Sequence, residues 1–262
     1  MLAAVEIQSA EQVWARIEAA AGAQAGGVVA TDGDGTLWSG DVGEDLFHAF
    51  VVHGRVDPPA LEAMRREARA HGLSDAGTGP DVARRIYAAY EQGRFPEERV
   101  CELMTWCFAG WPRDEVAAFA REVVERSGLA DRLHREVLDV LERARAARIE
   151  VVLVSASPLA VVLEAASRVG IDAGMVVAAH PRFDRETMLP EVERPIPYGA
   201  GKVHRLRERI GEERLLYAAF GDNAFDVALL ASARVGVAVR PKPRLRERAH
   251  EVPGVVELAR ST

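Results

Sequence analysis

Val28-Val29-Ala30-Thr31-Asp32-Gly33-Asp34-Gly35-Thr36-Leu37-Trp38 is the stretch on which the reading of this chain turns. Its first half is a short apolar run behind Gly26-Gly27, the signature of a buried β-strand. Its second half places two carboxylates two positions apart where the chain leaves that strand. Buried charge is costly, so Asp32 and Asp34 belong at the rim of the sheet, and open α/β sheets bind ligands at the rim formed by the strands' carboxyl ends. There Asp32 has the chemistry of a nucleophile and Asp34 that of a proton shuttle. Taken alone, the stretch also fits an ordinary turn, since Asp, Gly and Thr all favour turns.

On the amino side, residues 8 to 22 repeat Val13, Ile17 and Ala20 or Ala21 at helical spacing. On the carboxyl side, about ninety residues carry helical periodicity alone. Val42, Leu46, Phe47 and Phe50 mark one helix, and Pro58-Pro59 opens a second that runs to Ala70. Val82, Ile86 and Tyr90 mark a third, Glu97 to Trp106 a fourth and Pro112 to Arg126 a fifth. Gly128 is a C-terminal stop. No strand is expected between Trp38 and Gly128, so residues 40–128 form an all-helical cap inserted into a core of residues 1–39 and 129–262.

Alternation then resumes. Ile149 to Val154 is a β-branched run ending at Ser155. Ser157-Pro158 has the form of an N-cap followed by proline at the first helical position. Met175 to Ala179, Leu215 to Phe220 and Val235 to Val239 complete five strands, and the proline-rich residues 180 to 200 leave room for a short hairpin. The class is α/β: a Rossmann-like parallel sheet covered by helices, interrupted by the cap after its first strand.

Composition narrows the function. The 262 residues are 48% hydrophobic and carry a net charge of −7, which points away from a nucleic-acid partner and requires local cations for any anionic substrate. Cys101 and Cys107 match no redox or metal spacing and are expected to be buried thiols. None of the seven histidines falls in a metal-binding pattern, and His180 and His204 receive no role. No apolar run approaches the roughly 20 residues of a membrane span. The acidic start with Glu6 and Glu11 lacks a signal pattern, so the expectation is a cytoplasmic protein with no membrane partner, and a homodimer is compatible with it.

Three of the strands end in polar residues: Asp32 and Asp34, Ser155, and Gly221-Asp222. Lys202 opens the helix before the last of these strands. A parallel sheet brings these positions to one edge. Mg²⁺ favours oxygen ligands and takes one or two carboxylates, which Asp32 and Asp222 would supply together with a backbone carbonyl near Asp34. Lys202 adds a positive charge and Ser155 a hydrogen bond to a phosphate oxygen. The set suits phosphoryl transfer.

In these residues the chain resembles the haloacid dehalogenase (HAD) superfamily, in the branch with a helical cap that includes phosphoserine phosphatase. Asp32-Gly-Asp34-Gly-Thr-Leu is similar to its D-x-D-G-T-L motif, Ser155 to the second motif, Lys202 to the third and Gly221-Asp222-Asn223-Ala-Phe-Asp226 to the fourth, G-D-x-x-x-D. The resemblance spans residues 28 to about 240. It implies a phosphatase in which Asp32 forms an aspartyl-phosphate and a protonated Asp34 first gives its proton to the leaving oxygen, then activates water. It also implies Mg²⁺ on Asp32, the Asp34 carbonyl and Asp222, with Asp226 and Asn223 steadying these ligands. That branch often has asparagine before the final aspartate, where this chain has Phe225. Gly199-Ala-Gly-Lys202 is no P-loop, because Ile196 replaces the first glycine and Val203 the Ser/Thr.

The cap is less legible. Asp41 lies where the resemblance places an acidic residue that meets a substrate amine, and Glu44 lies near it; both also suit a helix N-terminus. Arg84 and Arg85 are candidates for a substrate carboxylate. Trp38, beside the catalytic loop, is a further candidate contact. The other aromatics of the cap suit packing, with a quaternary-ammonium cage as the alternative. The expected substrate is a small phosphomonoester, phosphoserine-like or otherwise amino-bearing. Transfer to an acceptor alcohol, a phosphocholine or phosphoethanolamine phosphatase, and a non-catalytic binding protein on the same scaffold are the alternatives.

Overall fold

The computed structural model describes residues 5–261. The chain begins with β1 (Glu6–Gln8), α1 (Ala10–Ala23) and β2 (Val28–Thr31). Five helices follow: α2 (Val42–His53), α3 (Pro58–Ala70), α4 (Gly79–Glu91), α5 (Glu97–Trp106) and α6 (Arg113–Arg126). Then come α7 (Arg135–Ala146), β3 (Glu150–Pro158), α8 (Leu159–Arg168), β4 (Val176–Ala179), β5 (Pro181–Asp184) and β6 (Thr187–Val192). The chain closes with α9 (Ala200–Ile210), β7 (Leu216–Gly221), α10 (Val227–Ala231), β8 (Val235–Val239), α11 (Pro243–Arg248) and β9 (Val256–Leu258).

Seven strands form one parallel sheet in the order β1-β9-β8-β7-β2-β3-β4. The sheet has two buried faces, as its apolar strands require. Val29, Val151 and Leu153 join one apolar cluster with Val13 and Ile17 of α1 and Val137 and Leu141 of α7. Val28, Ala30, Val152 and Val154 join another with Leu206 of α9 and Leu229 of α10. Strand alternation thus assigns successive residues to opposite helical layers.

The parallel sheet has seven strands where five were expected, because β1 and β9 add an edge. Each is only three residues long and interrupts its apolar pattern with Glu6 or Glu257. The helical insertion consequently follows the second strand of the chain, although β2 is still the strand that carries Asp32. A second departure is that β3 continues through Pro158 and α8 begins only at Leu159. Ser157 is therefore a strand residue, and its hydroxyl is free for another partner. The hairpin in the proline-rich region is present as the antiparallel pair β5–β6.

The inserted helices share one buried apolar cluster with the sheet's helical layer, from Phe50, Phe108 and Trp111 to Val161 and Ala165 of α8. The segment leaving β6 is tied to them by Glu102 of α5, a buried carboxylate that accepts two hydrogen bonds from Arg194 at 2.7 Å each. Arg132 spans both junctions. It donates to the Ser39 carbonyl at 2.7 Å, to Asp45 at 2.6 Å and to the Ser127 carbonyl at 3.5 Å. Gly40 and Gly128, at φ 78° and 63°, supply the left-handed turns there, a conformation costly for side-chain-bearing residues.

Candidate active site

The loop after β2 turns so tightly that Leu37 N–H donates to the Gly33 carbonyl at 2.8 Å and Gly35 N–H to the Trp38 carbonyl at 2.8 Å. Gly35 has φ 80° and lies against Asp222, where a Cβ would collide with that carboxylate. The loop thus needs glycine both for its backbone and for its close approach to the neighbouring strand end.

Asp32 is buried at the end of β2. Its Oδ1 accepts from Lys202 Nζ at 2.6 Å and its Oδ2 from the Thr36 hydroxyl at 3.0 Å. Lys202, wholly buried in the first turn of α9, also donates to Asp226 Oδ1 at 2.5 Å. The other oxygen of Asp226 accepts from the backbone N–H groups of Asp222 and Asn223, at 3.1 and 2.9 Å. Both oxygens of Asp226 are thereby engaged in shaping the β7 loop. Asn223 caps the short turn that follows by accepting from Ala224 N–H at 2.7 Å.

Three donors hold Asp34. Trp38 Nε1–H and Val42 N–H meet its Oδ1 at 2.8 and 2.7 Å, and the Ser157 hydroxyl meets its Oδ2 at 2.7 Å. A hydroxyl can donate to a carboxylate or accept from a carboxylic acid, so Oδ2 has a partner in either protonation state. Ser155 lies alongside, its Oγ accepting from Ser157 N–H at 3.0 Å.

The electrostatics suit a further cation. Oxygens of Asp32, Asp222 and Asp226 lie within 4.8 Å of one another. Burial pushes the Asp32 carboxyl well above the usual carboxylate range, with Lys202 opposing that push and Asp226 and Asp222 adding to it. Burial likewise raises Asp222, to about 6, although Lys242 pairs with its Oδ2 at 2.9 Å. Burial alone would lower Lys202, but Asp226 and Asp32 outweigh it and raise its pKa. Asp222 Oδ1 is buried with no hydrogen-bond partner among the described residues. An orphaned carboxylate oxygen among crowded carboxylates, all hard oxygen donors, fits a Mg²⁺ site.

A cavity of about 290 Å³ opens above these groups. Asp32, Asp34, Ser155, Ser157, Asn223, Phe225 and Lys242 line it from the sheet side, and Asp41, Glu44, Tyr90, Glu97, Val100, Cys101 and Met104 from the inserted segment. Asp41 and Glu44 therefore face the cavity, Asp41 also accepting from Glu44 N–H at 2.9 Å as the cap of α2. Cys101 is half-buried at the wall rather than sealed in the core like Cys107, and burial pushes its thiol pKa well up.

Three expected substrate contacts are corrected. Arg84 pairs with Asp81 at 3.2 Å, and Arg85 donates to the carbonyls of Ser74 and Ala76 at 2.7 and 3.1 Å. Both lie off the Val82–Ile86 stripe with which α4 faces the interior, so neither reaches the cavity. Trp38 is fully buried beneath Gly33; it positions Asp34 and offers no face to a ligand. Residues outside the sequence-based set complete the site. Ser157 follows Ser155 by the strand period of two, and Lys242 follows the end of β8 between two prolines. Those signals were present, whereas Glu97 looked like any acidic first-turn residue.

The family model of haloacid dehalogenase-like hydrolases matches residues 29–231, and the chain belongs to that family. Among solved structures it is similar to a protein of unknown function from Bordetella pertussis Tohama I, with 22% identity, 88% of this chain and 97% of that one covered, and a TM-score of 0.69. A functionally unknown protein from Anaerococcus prevotii DSM 20548 aligns at 17% identity over 88% and 84% of the two chains, with a TM-score of 0.60. A substrate-bound phosphoserine phosphatase aligns at 14% identity over 88% and 92%, with a TM-score of 0.51. No curated protein matches the chain. Among the described residues, no helix is long and apolar enough to cross a membrane.

Proposed function

We propose that the protein is a Mg²⁺-dependent phosphatase that hydrolyses a small phosphorylated metabolite through an aspartyl-phosphate on Asp32. The observation that carries this reading is the convergence of Asp32, Asp34, Ser155, Lys202 and Asp222 at one sheet edge, with Asp34 held separately from the carboxylate cluster by Trp38, Ser157 and Val42. The phosphatase among the structural relatives shares this fold.

An Asp32 carboxylate oxygen bonds to phosphorus as the bond to the ester oxygen breaks. Asp34 gives its proton to that departing oxygen. In the second half, Asp34 takes a proton from water, whose oxygen attacks the phosphorus and releases phosphate from Asp32. Ser155 donates to a phosphoryl oxygen. Lys202 neutralises Asp32 and Asp226 so that two carboxylates can stay together. Asp32, Asp222 and the carbonyl of Asp34 would hold Mg²⁺, which supplies positive charge against the phosphate oxygens.

Phosphate release from a panel of phosphomonoesters, with Mg²⁺ and with chelator, tests the reading. Release that requires Mg²⁺ and disappears in Asp32→Asn is expected. Release that survives in folded Asp32→Asn would overturn it.

A further inference from the structure

We infer that the alcohol released carries a positive charge and no negative one: the substrate is the phosphomonoester of a short amino alcohol, its nitrogen protonated or methylated, rather than of an amino acid. This rests on the phosphatase reading above and deepens it.

The inserted helices present three carboxylates to the cavity, Asp41, Glu44 and Glu97, contributed by the N-termini of α2 and α5. Among the described residues none of the three forms an ion pair. Their polar partners are neutral, as where the Tyr198 hydroxyl donates to Glu97 at 3.3 Å and Glu44 N–H to Asp41 at 2.9 Å. Among the described residues Lys242 is the one lysine or arginine lining the cavity, and it is paired with Asp222 at 2.9 Å. The two arginines that were candidates for a substrate carboxylate, Arg84 and Arg85, are engaged outside the cavity.

Three carboxylates above a phosphate site repel the incoming dianion. That repulsion is offset when the substrate carries its own cation at the far end. An amino acid ester brings an additional carboxylate into this wall with nothing to receive it, and such an unpaired charge discriminates strongly against it. Size agrees: 290 Å³ suits a phosphoryl group with a short chain. Tyr90 and the Val100–Met104 side of α5 line the cavity beside these carboxylates and accept an ammonium with or without methyl groups.

The test compares kcat/KM for phosphoethanolamine and phosphocholine with that for propyl phosphate, whose alcohol is uncharged, and for phosphoserine. At least one ammonium ester is expected to exceed propyl phosphate by about tenfold or more, with phosphoserine no better than propyl phosphate. Within one enzyme this ratio is independent of how much protein is folded. Glu44→Gln and Glu97→Gln are each expected to reduce it severalfold, and Glu97→Arg to move preference toward phosphoserine. A wild-type ratio near one, or phosphoserine as the best of the four, overturns the inference and leaves the phosphatase reading standing. Mg²⁺-dependent release from none of the four or any other ester overturns the phosphatase reading itself.

Discussion

Asp34 shows how much of this site depends on single hydrogen bonds. Its carboxyl is aimed by the indole of Trp38, a backbone N–H and the Ser157 hydroxyl. Trp38→Phe retains the ring packing but removes one donor, so steady-state kinetics on the best ester should show kcat lowered about tenfold or more with KM little changed. An unchanged kcat would show that the indole does not position Asp34. Asp222 makes a second prediction. Its carboxyl, raised to about 6 by burial, must be ionised to hold a metal, so Mg²⁺ competes with a proton below that pH. Metal titrations followed by thermal shift should give apparent affinity that rises from about pH 5 to about pH 7 and then levels off. Constant affinity across that range would contradict Asp222 as a ligand. The rim residues were legible because charge at the end of an apolar run has few places to go. The cavity-facing carboxylates were less so, since Asp41 and Glu97 also occupy N-terminal helix positions, where acidic residues are common for reasons unrelated to any ligand.

At the scale of elements, the helices and central strands followed from periodicity, and the departures have local causes. Strands of three residues, such as β1 and β9, are too short for alternation to be recognised. The continuation of β3 through Ser157 was hidden because Ser-Pro is also a helix-opening signal. It matters chemically, since the extended backbone carries Ser157 to Asp34. Nor does sequence separation reveal Arg132, which joins the segments on either side of the inserted helices. Arg132→Ala removes these contacts and should lower stability by about 1–3 kcal/mol. Hydrogen exchange should then accelerate at residues 39–45 and 127–132 before it does in the central strands. Uniform acceleration across the sheet would mean that Arg132 supports the fold globally and not the two junctions.

Across the whole molecule, the inserted helices and the sheet's helical layer share a continuous apolar cluster, and the β5–β6 hairpin is bonded to the inserted segment between Met188 and Gly110 and Trp111. Parts joined this way lose their mutual burial together, so calorimetry of the metal-free protein should give a single unfolding transition. Two resolved transitions would show that the helices and the sheet fold independently. The same continuity brings the acidic ends of α2 and α5 over the carboxyl edge of β2, β3 and β7 and so encloses the cavity.

The central claim is that Asp32 becomes covalently phosphorylated, and it is tested most directly by acid-quenching the enzyme during turnover and measuring its intact mass and peptide map. The account predicts that wild-type protein gains one phosphoryl group, that the added mass maps to the peptide holding Asp32, and that Asp32→Asn gains none. Turnover with no added mass in enzyme quenched before its first turnover is complete, or a phosphoryl group on another residue, would contradict it.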